Sequence, residues 1–127
     1  MPPIGRVRRK RTFEDLRRAK IRSSSGVVRV AYTPVTREKD ETGDERAQVA
    51  YAIGRRCGNA VTRNRLRRRL RAVLSAERDQ LVPGAYLVSL SPGAADRSYQ
   101  ELLDATRSAL AGLHRSSPEG RRPGAAS

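Results

Sequence analysis

Gly54–Arg71 reads GRRCGNAVTRNRLRRRLR, with Arg55, Arg56, Arg63, Arg65, Arg67, Arg68, Arg69 and Arg71 gathered around one Asn-Ala-Val turn. Guanidinium groups at that density repel one another unless a polyanion neutralises them, which points to a partner with closely spaced phosphates. A helix runs through the same letters. Asn59 suits the N-cap, because its side-chain oxygen can accept from the free amides of a first helical turn. From there, 3.6 residues per turn bring Leu66, Leu70, Val73 and Leu74 onto one stripe. Arg63 and Arg69 flank that stripe, where their methylene stems can cover apolar surface while the charge stays wet. Asn64, Arg67, Arg68 and Arg71 stand on the opposite side, and Arg65 projects from a flank. The spacing predicts a helix to about Asp79, with one face for a protein core and one cationic face left over. An ordinary solvated basic helix would relieve its repulsion by i,i+4 pairing, but no acidic residue occurs between Gly54 and Ser75.

The rest of the chain has the same bias. Its 127 residues carry 27 Lys+Arg against 13 Asp+Glu, a formal net charge of +14. That balance makes nucleic acid the leading partner class and an anionic membrane surface the second. The length suits one domain with a modest core, read here as residues 1–114, followed by a disordered basic tail over 115–127. With no Trp and a single Phe, the core has to come from Val, Leu, Ile and Ala. One Cys excludes an internal disulfide framework and a cysteine-based metal site. MPPIGRVRRKR has charge but no apolar stretch behind it, so it is not a signal peptide, and no window has the apolar length of a membrane span. The expectation is a soluble, cytoplasmic protein.

Outside the arginine helix the elements follow from punctuation and alternation. Met1 to Arg11 reads as an irregular lead-in, and Thr12 as the cap of a short helix from Phe13 to about Lys20. Ser23-Ser24-Ser25-Gly26 reads as a loop, with room for a short extra strand near Lys20 to Ser24. Val27 to Thr33 and Ala47 to Gly54 read as two strands joined by a long charged hairpin connection over 35–46. Ala85 to Ser91 reads as a third strand, and a last helix starts near Asp96 or Ser98 and ends near Leu113. On that helix Leu102, Leu103, Thr106, Leu110 and Leu113 form the apolar side, and from His114 onward the chain is small, polar and Pro/Gly-rich. The expected fold class is an α/β (α+β) sandwich, a small mixed sheet of three to four strands covered by helices.

The run Gly58-Asn59-Ala60-Val61, then Arg63-Asn64-Arg65, then Arg68-Arg69-Leu70-Arg71, resembles the signature of the bacterial ribonuclease P protein component. That family reads roughly VSKK-x-GNAV-x-RNR-hydrophobic-KR-x-x-R. Here Ile53-Gly54-Arg55-Arg56 stands for the first block, and Arg67 with Arg68 stands for the Lys-Arg pair. The resemblance extends over most of the chain, through the short Phe-containing helix, the strands and the closing helix. It implies a fold similar to the second domain of a ribosomal protein, with a left-handed βαβ crossover through the signature helix. It also implies a role as accessory subunit of a ribonucleoprotein endoribonuclease that removes the 5′ leader of precursor tRNA. In that particle the RNA subunit, with Mg²⁺ bound mainly by the RNA, does the chemistry. The implied partners are the catalytic RNA and precursor tRNA, with no membrane and no protein partner required.

Position by position, the resemblance implies RNA contact by Arg55, Arg56, Asn59, Arg63, Asn64, Arg65, Arg67, Arg68 and Arg71. It implies a leader groove between the first helix and the sheet, formed by Phe13, Arg17 and Tyr32. Tyr32 matches a strand tyrosine once the loop before it carries one extra residue. Arg17 departs from the family pattern, which has a second aromatic there, and could still stack a base through its guanidinium plane. The glycine that usually follows the first helix is also absent, at Ala19 or Lys20.

The residues agree that this chain has no active site of its own. A protein phosphodiesterase needs a general base, a metal-binding carboxylate cluster or a nucleophile with its base. The only His is His114, beside the tail, and no two carboxylates are spaced to converge on a strand end. Cys57 sits in the basic loop, where a lone thiol is more often packing than chemistry. Two other classes remain in view: a structural RNA-binding protein that only scaffolds nucleic acid, and an enzyme in its own right.

Overall fold

The computed structural model describes residues 4–7, 10–34 and 47–116. In chain order the elements are β1 (Gly5–Arg6), α1 (Lys10–Arg17), β2 (Ile21–Ser25), β3 (Val28–Thr33), β4 (Ala47–Ile53), α2 (Ala60–Ala76), β5 (Gly84–Leu90) and α3 (Tyr99–Ser116). Three strands whose apolar alternation is in phase form the centre. Ile53, Leu90 and Val28 sit side by side, as do Tyr51, Val88 and Val30, and then Val49, Tyr86 and Tyr32. Because successive side chains point to opposite faces, these rows make one continuous apolar surface. Leu66, Leu70, Val73 and Leu74 of α2 and Leu102, Ala109, Leu110 and Leu113 of α3 close over it. The other face carries Ala50, Ala85 and Leu87, covered by Leu16 and Phe13 of α1 together with Val7. The result is a mixed α/β fold in three layers, with helices on both faces of the sheet.

The sheet has five strands in the order β1-β4-β5-β3-β2, more than the three to four expected. Three corrections follow. β3 and β4 do not form a hairpin, because β5 lies between them, antiparallel to β3 and parallel to β4. The charged connection over 35–46, read as mobile, lies outside the described residues. The short extra strand allowed near Lys20 to Ser24 is present and takes in Ser23 to Ser25, which are strand and not loop, paired with Val30 to Val28. Small side chains there suit the close packing of α3, and a Cβ added at the neighbouring Gly26 would already stand 3.8 Å from the Ala105 methyl. The N-terminal lead-in is also partly ordered: Gly5 and Arg6 pair in parallel with Gln48 and Val49.

Helix boundaries shift for local reasons. α1 begins at Lys10, so Thr12 is a buried helical residue and not a cap. In place of the missing glycine at its C-terminus, Arg22 donates from Nε to the Ala19 carbonyl at 2.6 Å and from Nη2 to that of Arg17 at 2.5 Å. The guanidinium thereby satisfies carbonyls that a helix end leaves without partners. α3 starts with a capping box: Ser98 Oγ accepts from the Glu101 amide at 3.1 Å, and Glu101 Oε1 accepts from the Ser98 amide at 2.8 Å. The helix continues through Ser116, past the expected stop at Leu113, and the tail from 117 lies outside the described residues.

One buried carboxylate ties α2 to α3. Glu77, at the C-terminal end of α2, is only 7% exposed. It accepts from Arg107 Nη2 at 2.8 Å and from Gln80 Nε2 at 2.6 Å. The Arg107 hydrogen bond holds its pKa below the ordinary glutamate value against the opposing effect of burial. Since the folded-state pKa is depressed, this contribution is present above the unfolded pKa near ~4.3 and is lost as pH falls through the folded value. Arg107→Ala leaves the buried carboxylate short of its charged partner and should destabilise the fold by about 1–3 kcal/mol at pH 7. In urea titrations the two proteins should converge in acid, below the pKa of Glu77. A difference that persists unchanged to pH 2 would mean that Glu77 does not mediate it. Gly84→Ala should also destabilise by about 1–3 kcal/mol. Gly84 has φ +137°, and an added Cβ would lie 2.5 Å from the Tyr32 hydroxyl oxygen. A thermal midpoint equal to that of the unsubstituted protein would contradict this packing.

Candidate nucleic-acid interface

The loop before α2 is fixed from inside. Arg55–Cys57 forms a single 3₁₀ turn whose Cys57 is buried. The Cys57 thiol faces the Leu90 and Ser91 carbonyls, each at 3.5 Å, which anchors the loop to the end of β5. Cys57 is therefore packing, and Arg55 and Arg56 on either side of the turn remain exposed. Gly58 follows with φ +136°, where a Cβ would stand 2.8 Å from Thr62 Cγ2. Only glycine lets the chain reverse so tightly into the helix. Asn59 then caps α2 as its chemistry suggests, with Oδ1 accepting from the Thr62 amide at 2.9 Å. The start of α2 is open to solvent through Asn59, Ala60 and Val61, and Val61 is 65% exposed. Free amides and the positive end of the helix dipole face solvent there, and the exposed Arg55 and Arg56 precede them in the chain.

Along α2 the two faces separate as the spacing predicts. Leu66, Leu70, Val73 and Leu74 are buried, while Asn64, Arg65, Arg68 and Arg71 are exposed. Arg67 is half-buried and donates from Nη1 to Asn64 Oδ1 at 2.9 Å. Together with Val61, residues Asn64, Arg67, Arg68 and Arg71 line a shallow depression of about 510 Å³. Arg63 and Arg69 do flank the apolar stripe. Arg69 Nη1 donates to the Arg97 carbonyl at 3.3 Å, and the Arg63 Nε is buried without a hydrogen-bond partner among the described residues. Ion pairs among the described residues join Arg107 to Glu77 and Arg97 to Glu101, and the α2 arginines take part in neither. Among the described residues, then, nothing neutralises the ridge.

The expected leader groove does not assemble as a trio. Phe13 packs on the α1 side of the sheet. Tyr32 belongs by alternation with Val28 and Val30, on the side covered by α2 and α3. Its ring lies 4.9 Å from that of Tyr86, and its hydroxyl donates to the Pro83 carbonyl at 2.7 Å. Arg17 is exposed at the end of α1. What the sequence reading missed is the part of the α1-side face that this eight-residue helix leaves uncovered. The register places Ala52, Ser89, Arg29 and Ser24 in one row across β4, β5, β3 and β2. Ala52, Arg29 and Ser24 are exposed and Ser89 is half-buried. The alternation of Val28, Arg29 and Val30 could have found Arg29, since it must point away from the main core.

Among the described residues no three His, Cys, Asp or Glu side chains gather to hold a metal. The side chain of His114 lies outside the described residues. Among those described, no helix is long and apolar enough to cross a membrane.

A family model described as Ribonuclease P matches residues 1–114 of the chain. A ribonuclease P protein component of Micrococcus luteus is 36% identical over 117 residues, covering 87% of this chain and 88% of that protein. The component of Thermobifida fusca is 31% identical and covers 91% and 80%, respectively. Among solved structures, a Staphylococcus aureus RNase P protein mutant superimposes with a TM-score of 0.70 at 15% identity, covering 83% of this chain and 84% of its own. The Thermotoga maritima RNase P protein gives 0.66 at 15% identity, covering 81% and 92%. The structures establish the fold, and the sequence matches establish the kinship. This chain belongs to the bacterial ribonuclease P protein component family, and is thus the protein subunit of a tRNA-processing endoribonuclease that works as a ribonucleoprotein.

Proposed function

We propose that this subunit docks on the catalytic RNA through the α2 ridge and its preceding loop, and guides the single-stranded 5′ leader of precursor tRNA along the open sheet face beside α1. The observation that carries the reading is the ridge itself: Arg65, Arg67, Arg68 and Arg71 project from a helix whose other face is locked into the core, and no carboxylate matches them among the described residues. Arg55, Arg56, Arg63, Asn59 and Asn64 extend this surface around the helix start. The crossover from β4 through α2 to β5, left-handed in this reading, keeps the ridge clear of the sheet.

The physical contribution is electrostatic. Each phosphate neutralised by an arginine releases condensed counterions, and lower repulsion between the catalytic RNA and its substrate reduces the Mg²⁺ needed. The Mg²⁺ held mainly by the RNA supplies the hydrolytic chemistry. On the sheet face, Arg29 offers charge to a leader phosphate, while Ala52, Ser89 and Ser24 are small enough to let a strand lie close. Arg17 and Phe13 border this path from α1, with Arg17 contributing charge where relatives carry an aromatic ring. Tyr32 supports β3 from the opposite face in this reading and contacts no leader base. A subunit that touches the leader binds precursor in preference to mature product, which favours turnover.

Purified protein should cleave no precursor tRNA by itself, and should restore 5′-leader removal to the matching RNA at low Mg²⁺. Cleavage by RNA-free protein would discard this division of labour. Arg65→Ala or Arg68→Ala should weaken binding to the catalytic RNA and reduce the slope of log K against log salt by about 0.7–0.9 each. An unchanged slope would remove that side chain from the interface. Arg29→Ala should lower the preference for leader-bearing over leaderless tRNA by roughly tenfold, the ~1.4 kcal/mol scale of one charge-assisted contact, while assembly with the RNA is retained. Equal loss of assembly and leader preference would place Arg29 elsewhere in the particle.

A further inference from the structure

β1 covers only the start of β4. Pairing along that edge among the described residues ends with Arg6 opposite Val49, and β4 continues to Ile53. A cavity of about 710 Å³ opens at this point, between the N-terminal segment, α1 and the C-terminal half of α2. Its volume falls within the range of pockets that take small organic ligands, ~300–1,000 Å³. Tyr51 and Phe13 contribute aromatic surface to its lining, with Ile4 and Val7 beside them, and Arg67, Arg71 and Arg78 contribute charge. The Arg71 guanidinium carbon lies over the Tyr51 ring, 5.9 Å from its centroid, a cation–π contact that places charge beside aromatic surface. Tyr51 is held from behind by the core, and Arg78 is exposed just beyond α2.

Aromatic surface, three guanidinium groups and a stretch of β4 edge that pairs with no strand among the described residues form a specific combination in one concavity. A phosphate alone would need the arginines, and an apolar molecule alone would need the rings. A planar heterocycle joined to a phosphate uses both, and its edge can hydrogen-bond to the strand. By alternation Tyr51 points to the opposite sheet face from Ala52 and the open row with Arg29, so the cavity is not an extension of that row, although it shares Phe13 with the border of that path and Arg67 and Arg71 with the α2 ridge.

We propose that this edge cavity is a nucleotide-binding site, in which the base packs against the Tyr51–Arg71 pair and the phosphate lies among Arg67, Arg71 and Arg78. The nucleotide comes either free from solution or as one unpaired residue of a bound RNA strand. The shared chemistry can be tested on the full chain without any RNA, so the outcome is independent of the ribonucleoprotein reading.

Calorimetric titration with AMP, ribose 5-phosphate and inorganic phosphate should show AMP binding at least tenfold more tightly than ribose 5-phosphate. Tyr51→Leu should bring that ratio close to one while leaving phosphate affinity in place, and Tyr51→Phe should preserve it. Arg78→Glu, a change at an exposed position, should weaken all three ligands and gives a reading even if the core variant does not fold. Equal affinity for AMP and ribose 5-phosphate, or AMP affinity indifferent to Arg78→Glu, would overturn the site and leave only a cationic notch. Repeating the AMP titration on protein assembled with catalytic RNA separates the sources. Retained binding identifies a free nucleotide as the occupant, and displacement by the RNA identifies a residue of that strand.

Discussion

The burial of one leucine-rich stripe underlies everything else in this molecule. Leu66, Leu70, Val73 and Leu74 hold α2 against the parallel strands β4 and β5, and the same helix carries the arginines outward. Each fully buried aliphatic side chain stabilises by ~1.5–3 kcal/mol. Each like-charge pair one turn apart, such as Arg67 with Arg71, opposes by only ~0.2–0.5 kcal/mol. Packing wins clearly, so the cationic face can remain unneutralised in the free protein and still be rigid. A ridge held this firmly loses little conformational freedom on meeting phosphate, which concentrates the gain of counterion release into affinity.

That balance explains why α2 was legible in the sequence and other elements were not. For α2 the cap, the glycine before it, the leucine spacing and the charge distribution all agree locally. β2 offers no such agreement. Ser23, Ser24 and Ser25 have turn-like composition, and only their pairing with β3 and the fit of α3 against small side chains make them strand. β1 is too short to signal anything, since Gly5 and Arg6 are ordered by the edge of β4. The order of strands is a non-local outcome: β3 and β4 adjoin in sequence, yet β5 enters between them after the α2 crossover.

Of the candidate site, the ridge could be read from residue types and period, whereas the groove could not be assembled from kinship alone. Grouping Phe13 with Tyr32 neglects the phase of β3, in which Tyr32 falls with Val28 and Val30 on the main core. The same phase turns Arg29 outward and creates the open row that no motif announces. Cys57 is the contrary case. Read as packing, it is buried against two carbonyls at the end of β5 and anchors the loop that presents Arg55 and Arg56.

The acidic residues complete the division of surfaces. Glu101 and Asp104 are exposed on α3, and Asp96 and Asp79 are exposed on the turns that lead into α3 and out of α2. Glu77 occupies the C-terminal end of α2, where the helix dipole disfavours a carboxylate, and is stabilised there by Arg107 and Gln80. Among the described residues the carboxylates of α3 and of the turn after α2 stand beside Arg97 and Arg107, whereas the start and outer face of α2 carry arginine with no carboxylate on the same helix. In the field of a polyanion such a distribution favours approach by the ridge over approach by α3, before any specific contact forms.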